Sequence, residues 1–336
     1  MPDFVKMFNA IIILLIGFVL LIKGADYFVE GSSAVAKKLR IPTIIVGLTI
    51  VAMGTSLPEL AVSVTASLVD NNEIAVSNVI GSNLFNLLVV CGACTLFAPL
   101  AISKDTLKKD FPLSIGCAIV LLVMGIMGKE VGRLDGVILL VFFITYIAIL
   151  VRQALKARAV VGDEDVNCDD ESDEKDAKDI PVWLCLMYIV GGVVAIKFGG
   201  DFVVDGASTI AGVLGMSQTL IGLTVVAVGT SLPELVTSIV AGRKGEVDMA
   251  LGNVIGSNIY NVLFILGTAG SISPMSFIND KVGFDNIVDI TVLIVVSLLT
   301  YVFAWSKKKI EKKEGIIMIS IYVIYMMFAV VRGISG

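Results

Sequence analysis

Apolar residues come in long blocks along this chain, with no alternation of period two and no single helical stripe. Blocks such as residues 10–22, 134–151 and 286–304 are almost free of charge. A block of about 20 apolar residues crosses the hydrocarbon core of a bilayer as a helix. Windows separated by charge and by Pro or Gly breaks give ten spans, at about 8–30, 42–69, 74–98, 111–128, 134–152, 181–205, 217–242, 248–271, 286–305 and 314–332. Pro42, Pro112 and Pro181 fall at span starts, where a missing N–H costs nothing. Pro99 and Pro274 follow span ends. The pattern predicts an all-α integral membrane protein.

The blocks repeat. Sliding the chain by 175 positions aligns Gly54 with Gly229, Glu59 with Glu234, Gly81 with Gly256 and Pro99 with Pro274 without a gap. Ile41–Gly92 matches its shifted copy at 24 of 52 positions. A fixed-offset repeat among apolar spans is the mark of a duplicated transporter fold. The expected divisions are a first five-helix repeat (1–152), an acidic linker (153–180) and a second five-helix repeat (181–336). Lys and Arg concentrate in loops on the cytoplasmic side. Here they follow the odd-numbered spans: Lys37, Lys38 and Arg40; Lys104 and Lys108; Arg152 and Lys156; Arg243 and Lys244; Lys307–Lys309. The alternate loops are poor in bases. Both termini are therefore expected outside a cell membrane. Five spans per repeat is an odd number, so the reading is ten transmembrane helices as two inverted five-helix repeats.

Composition agrees: 57% of the 336 residues are hydrophobic and 16% charged, with mean hydropathy +0.94. There is no histidine, which excludes His proton relays, His-ligated metals and His-dependent triads. The net charge of −5 sits almost wholly in one loop, so it points to no nucleic-acid partner. No cleavable leader stands out, and the first block is long enough to remain a span. Cys91 and Cys94 are an i, i+3 pair within a span and read as packing. Val161–Asp179 reads as a solvated tether. Within it Asp163, Asp165, Asn167, Asp169, Glu171 and Glu174 fall on EF-hand ligand positions. Cys168 stands where that loop needs Gly, and flanking amphipathic helices are missing, so weak Ca²⁺ association is the minor reading.

The chemistry lies in G-T-S-L-P-E, which spans Gly54–Glu59 and again Gly229–Glu234. Glu59 and Glu234 are placed near mid-membrane, where an acid is costly and marks a functional site. Pro58 and Pro233 cannot donate to the carbonyls of Gly54 and Gly229, so spans two and seven are expected to be broken helices. Such a break persists only where protein buries it or water reaches it. Thr55, Glu59 and Ser63, with Thr230, Glu234 and Ser238, are four apart and share a helix face. The next spans offer Asn78, Ser82 and Asn86, and Asn253, Ser257 and Asn261, at the same spacing. Convergence of these faces makes an all-oxygen pocket suited to a hard cation such as Ca²⁺. The competing reading is adhesion between helices, which Ser, Thr and Asn commonly provide. It weighs equally for Asn78, Asn83, Asn253 and Asn258, and more heavily for Ser63 and Ser238. Asp26, Glu30, Asp201 and Asp205 read as interfacial charges before they read as a cation-attracting vestibule. Gly17, Gly24, Gly191, Gly192, Gly199 and Gly200 permit close approach of spans one and six, either for sliding or for static packing.

G-T-S-L-P-E followed by N-V-I-G-S-N, twice, resembles the alpha repeats of the sodium/calcium exchanger family within the cation/calcium exchanger superfamily. The resemblance implies an antiporter, not an enzyme, that exchanges Na⁺ for Ca²⁺ by alternating access, with spans one and six sliding as a gate. It implies Ca²⁺ ligation by Glu59, Glu234 and the backbone carbonyls of Thr55 and Thr230. Na⁺ would be held by the same two acids, the Ala52 and Ala227 carbonyls, and Ser56, Ser82, Ser231 and Ser257. Asn86 and Asn261 would complete the centre. Some relatives, including K⁺-dependent ones, carry Asp where this chain has Asn261, which argues against K⁺ coupling. A Ca²⁺/H⁺ antiporter on the same fold is the alternative. No cofactor and no obligate protein partner beyond membrane lipid is expected.

Overall fold

A computed structural model describes residues 2–69, 72–128, 130–164, 180–216, 225, 227–276 and 285–335. The apolar blocks are helical, because a bilayer leaves the backbone no water and each helix satisfies its own N–H and C=O groups. Among the described residues, eight helices are long and apolar enough to span: Phe4–Leu39, Ile74–Phe97, Thr106–Met127, Arg133–Ala159, Val182–Val213, Val247–Ile272, Asn286–Lys307 and Lys312–Arg332. A ninth candidate is a bent pair, Thr43–Thr55 and Leu57–Leu68, with axes at 48°. The expected span 217–242 is described only in part, as the helices Ala227–Gly229 and Leu232–Arg243. Linker residues 165–179, with most of the EF-hand-like run, lie outside the described residues.

The first helix runs to Leu39 and the sixth to Val213, well past the windows 8–30 and 181–205. Hydropathy ends those windows at the polar residues that follow. The backbone hydrogen bonding does not end there, since Ser, Ala and Gly continue a helix at little cost when its neighbours pack against it.

Two helices form the centre. Windows of Val247–Ile272 and Ile74–Phe97 are 94% and 78% buried, whereas that of Phe4–Leu39 is 17% buried. Phe4, Trp183, Leu186 and Met327 on the outer helices are exposed, as lipid-facing side chains must be. Two short antiparallel strand pairs join the loops. Leu100 pairs with Ile310 and Ala101 with Lys309; Glu130 pairs with Ser276 and Val131 with Met275. The first pair brings together the loops that carry Lys104 and Lys307–Lys309, both read from the sequence as belonging to one side.

Helix Pro2–Leu39 lies against helix Val182–Val213 through glycines seven residues apart on each: Gly17, Gly24 and Gly31, and Gly192, Gly199 and Gly206. A Cβ on Gly199 would stand 2.6 Å from the Leu21 nitrogen and 2.9 Å from the Gly17 carbonyl, and one on Gly24 would stand 2.9 Å from the Ile196 nitrogen. Backbone thus touches backbone, which small residues alone permit. Gly31 and Gly206 join the set anticipated from sequence. Gly191 and Gly200 leave it, since a Cβ on Gly191 meets nothing within 4 Å and one on Gly200 meets only Pro233. Gly199→Val is expected to destabilise the protein by about 1–3 kcal/mol through overpacking, and Gly191→Ala to leave it unchanged. Melting of the purified variants in detergent checks both, and equal melting temperatures would refute the packing account.

Three of the four acids singled out on these helices, Asp26, Glu30 and Asp201, are paired with lysines. Lys244 Nζ lies 3.5 Å from the Asp26 carboxylate and 3.8 Å from that of Glu30. Lys197 meets Asp201 at 2.5 Å, one turn along the same helix. Exposed pairs of this kind contribute little to stability, which favours the interfacial reading for Asp26, Glu30 and Asp201.

Candidate functional site

The breaks come from the local sequence. Ala52–Thr55 ends at Ser56 (φ −84°, ψ 10°), and Leu57–Leu68 starts with Pro58 in its first turn. Ser231 (φ −95°, ψ 6°) stands in the same place before Leu232–Arg243, with Pro233 in its first turn. Serine before a helix usually accepts a hydrogen bond from a backbone N–H of the first turn. Neither serine caps its helix in this way. Ser56 Oγ instead donates to Glu234 Oε1 at 3.0 Å, and Ser231 Oγ donates to Glu59 Oε1 at 3.2 Å. Each half thus hands a hydroxyl to the other half's carboxylate. Glu59 and Glu234 occupy the first turns of their half-helices, where the helix dipole favours an anion. Both are fully buried.

The first helix covers one break and the sixth touches the other. A Cβ on Gly54 would stand 2.7 Å from the Phe28 ring, and one on Gly200 would stand 3.8 Å from Pro233.

The helices Ile74–Phe97 and Val247–Ile272 supply the amides and further hydroxyls. Asn78 Nδ2 donates to the Glu59 carbonyl at 3.3 Å and to Ser63 Oγ at 3.1 Å. Asn253 Nδ2 donates to the Glu234 carbonyl at 3.5 Å and to Ser238 Oγ at 2.9 Å. These four residues hold each half-helix to the span that follows it, so the adhesion reading describes Asn78, Asn253, Ser63 and Ser238. Asn83 Nδ2 donates to the Asn258 carbonyl and Asn258 Nδ2 to the Asn83 carbonyl, at 3.2 and 3.3 Å. The bonds come in pairs related by the 175-residue offset.

The pairing fails at two places. Ser82 Oγ lies 3.4 Å from Glu59 Oε1 and 3.1 Å from Ser231 Oγ, so the two hydroxyls and the carboxylate oxygen share two protons, while Ser257 Oγ is buried without a partner. Thr55 Oγ1 bonds to Asn253 Oδ1 at 3.0 Å, while Thr230 Oγ1 has no partner. The Ala52 carbonyl accepts from the Ser56 N–H at 3.1 Å. Ala227 opens the short helix before the second break.

Several buried oxygens on the broken segments and the two central helices have no hydrogen-bond partner. Glu59 Oε2, Glu234 Oε2, Asn86 Oδ1 and Asn261 Oδ1 are buried and lack any hydrogen-bond partner. With Ser257 Oγ and Thr230 Oγ1 they make six oxygens, all able to accept. Leaving such acceptors unpaired in a dry interior costs about 1–3 kcal/mol each, more for charged groups. A hard cation coordinated by carboxylate, amide and hydroxyl oxygen relieves that cost. No group of three or more His, Cys, Asp or Glu side chains gathers among the described residues. The donor set therefore fits Ca²⁺ or Na⁺ and not a soft or borderline metal. Ser231, Ser82 and Glu59 form one hydrogen-bonded group, and Ser56 with Glu234 forms another. The reciprocal Asn83–Asn258 pair and the Thr55–Asn253 bond were not anticipated, since spacing along one helix does not identify the partner on another.

A family model described as sodium/calcium exchanger protein matches residues 9–152 and 184–331, which includes both broken segments and both central helices. The sodium/calcium exchanger MaX1 of Methanosarcina acetivorans is 33% identical over 349 residues, covering 94% of this chain and 97% of that protein. The inner membrane protein YrbG of Escherichia coli is 32% identical over 311 residues, covering 90% of each. Among solved structures, the sodium-calcium exchanger NCX_Mj soaked with 2.5 mM Na⁺ and 0.1 mM Ca²⁺ superposes with a TM-score of 0.77 at 32% identity, covering 95% of this chain and 98% of that one. These relatives are ion exchangers and membrane proteins, and the oxygen-lined, carboxylate-paired centre sits within the matched segments. The chain belongs to the sodium/calcium exchanger family.

Proposed function

We propose that this protein is a secondary antiporter that exchanges Na⁺ for Ca²⁺ across the cell membrane by alternating access. The observation that carries the reading is the pair of buried carboxylates, Glu59 and Glu234. Each accepts a serine hydroxyl from the opposite half and keeps one oxygen with no partner in the protein. Two carboxylates at one site neutralise one Ca²⁺. In this reading Glu59 and Glu234 ligate Ca²⁺ with the Thr55 and Thr230 carbonyls. Na⁺ takes the same acids with the Ala52 and Ala227 carbonyls and Ser56, Ser82, Ser231 and Ser257. Asn86 and Asn261 complete the centre. The frame is ten spans as two inverted five-helix repeats, broken at helices two and seven and joined by the 153–180 linker. The glycine-packed first and sixth helices lie over the breaks and move as the gate. Flux of ⁴⁵Ca²⁺ into proteoliposomes, with and without a Na⁺ gradient, tests the function directly. Flux indifferent to Na⁺ overturns it.

The charged loops orient the frame with both termini outside. Single cysteines in place of Lys308 and Glu130, both exposed, serve as markers in a background lacking Cys168. An impermeant thiol reagent added outside intact cells is expected to label position 130 and spare 308. The opposite result reverses the orientation.

A further inference from the structure

We infer that Asn83 and Asn258 are positioning residues that set the amide polarity of Asn86 and Asn261, so that both present oxygen rather than N–H to the ion. The inference rests on the ion site proposed above and deepens it. A carboxamide can be turned either way, and one side exposes an acceptor while the other exposes donors. In this protein the choice is forced from the backbone. The Asn83 main-chain carbonyl only accepts, and Asn258 lies 3.3 Å from it, so Nδ2 of Asn258 must face that carbonyl. Oδ1 of Asn258 then points away, and the group that meets it at 3.3 Å must donate. That group is Asn86, whose Nδ2 is thereby turned toward Asn258 and whose Oδ1 is left over on the other side. The second half repeats the logic. The Asn258 carbonyl fixes Nδ2 of Asn83 at 3.2 Å, and Asn83 Oδ1 accepts from Asn261 Nδ2 at 2.9 Å. Asn261 Oδ1 is left over in turn. These two leftover oxygens are the buried, partnerless amide acceptors of the centre. All four residues are buried, at 3% exposure or less.

Each relay crosses between the repeats: Asn258 of the second half orients Asn86 of the first, and Asn83 of the first orients Asn261 of the second. A turned amide at either site would aim N–H at a cation. Without Asn258, the Asn86 amide loses the acceptor that holds its N–H away, and both orientations become populated.

The test measures equilibrium ⁴⁵Ca²⁺ binding to the purified full-length protein, together with its melting temperature in Ca²⁺-free buffer. Outer-shell partners of metal ligands typically affect affinity ten- to a hundred-fold. Asn258→Ala is expected to weaken Ca²⁺ binding by about ten-fold or more. Asn86→Ala weakens it too, and the double variant binds no more weakly than Asn86→Ala alone, because nothing remains to be oriented. Asn83→Ala and Asn261→Ala form the second cycle, with the same expectation. A role limited to helix cohesion would lower the melting temperature and weaken binding by the same factor with or without Asn86. Additive losses in both cycles, or wild-type binding by Asn258→Ala and Asn83→Ala, overturn the inference. So does failure of both of those variants to fold, which would assign the pair to cohesion. Absence of Ca²⁺ binding by the wild type refutes instead the ion site on which the inference rests.

Discussion

Glu59→Gln and Glu234→Gln are each expected to abolish Ca²⁺ exchange while the protein still folds. Gln keeps the size of Glu and an oxygen to accept from the opposing serine, Ser231 for Glu59 and Ser56 for Glu234. What it removes is one negative charge, and it offers an N–H where a carboxylate oxygen stood. A buried dication then faces one charge in place of two. Breaking a buried, compensated charge arrangement costs about 3–5 kcal/mol, which is about two to three and a half decades in affinity at 1.4 kcal/mol per decade. Without Ca²⁺ the substitution relieves repulsion between two buried acids, so thermal stability is expected to hold or rise. ⁴⁵Ca²⁺ flux in proteoliposomes and melting in Ca²⁺-free buffer measure the two effects separately. Near wild-type flux in either variant would refute the assignment of the carboxylates. Lost flux with a collapsed melting temperature would make them structural.

The second large effect concerns the coupling ion. Ca²⁺ uptake into vesicles is expected to require internal Na⁺, to survive a proton ionophore and to run faster when the interior is positive. Proton coupling usually relies on groups that titrate near working pH, of which His is the common one, and this chain has none. The neutral oxygens around the two acids would have no use in a proton pathway. They suit Na⁺, which needs several ligands and little charge. Two carboxylates balance one Ca²⁺; with three Na⁺, the stoichiometry that the family resemblance implies, one positive charge is left over. Exchange of internal Na⁺ for external Ca²⁺ then carries net positive charge outward, and a positive interior drives it. Vesicles clamped with K⁺ and valinomycin at opposite potentials measure the effect. Uptake driven by a pH gradient in Na⁺-free vesicles would move the assignment to Ca²⁺/H⁺ exchange.

Much of the molecule was readable along the chain. Among the described residues hydropathy located eight spans and a ninth as a bent pair, because a bilayer demands that every backbone group be satisfied within its own helix. Pro58 and Pro233 located the breaks, since each removes a donor that an unbroken helix needs. The four-residue spacing of Thr55 and Glu59, or Ser82 and Asn86, placed side chains on common faces. The 175-residue offset paired the halves, and the absence of His removed whole classes of chemistry. These are local or compositional properties, and each follows from one helix or one count.

Tertiary structure decided the rest. A helical period assigns a residue to a face without naming the helix that face meets. Nothing along the chain shows that Ser56 and Ser231 leave their own helix starts uncapped and donate to the acid of the opposite half. The division among the asparagines was equally hidden. Asn78 and Asn253 fasten a half-helix to its neighbour, Asn83 and Asn258 clasp each other's backbone, and Asn86 and Asn261 keep a fully buried amide oxygen without a partner. All six are the same residue type at helical spacing within near-identical motifs. Only the partner across the helix boundary settles whether an amide offers oxygen or N–H, because hydrogen-bond polarity belongs to the pair and not to the residue.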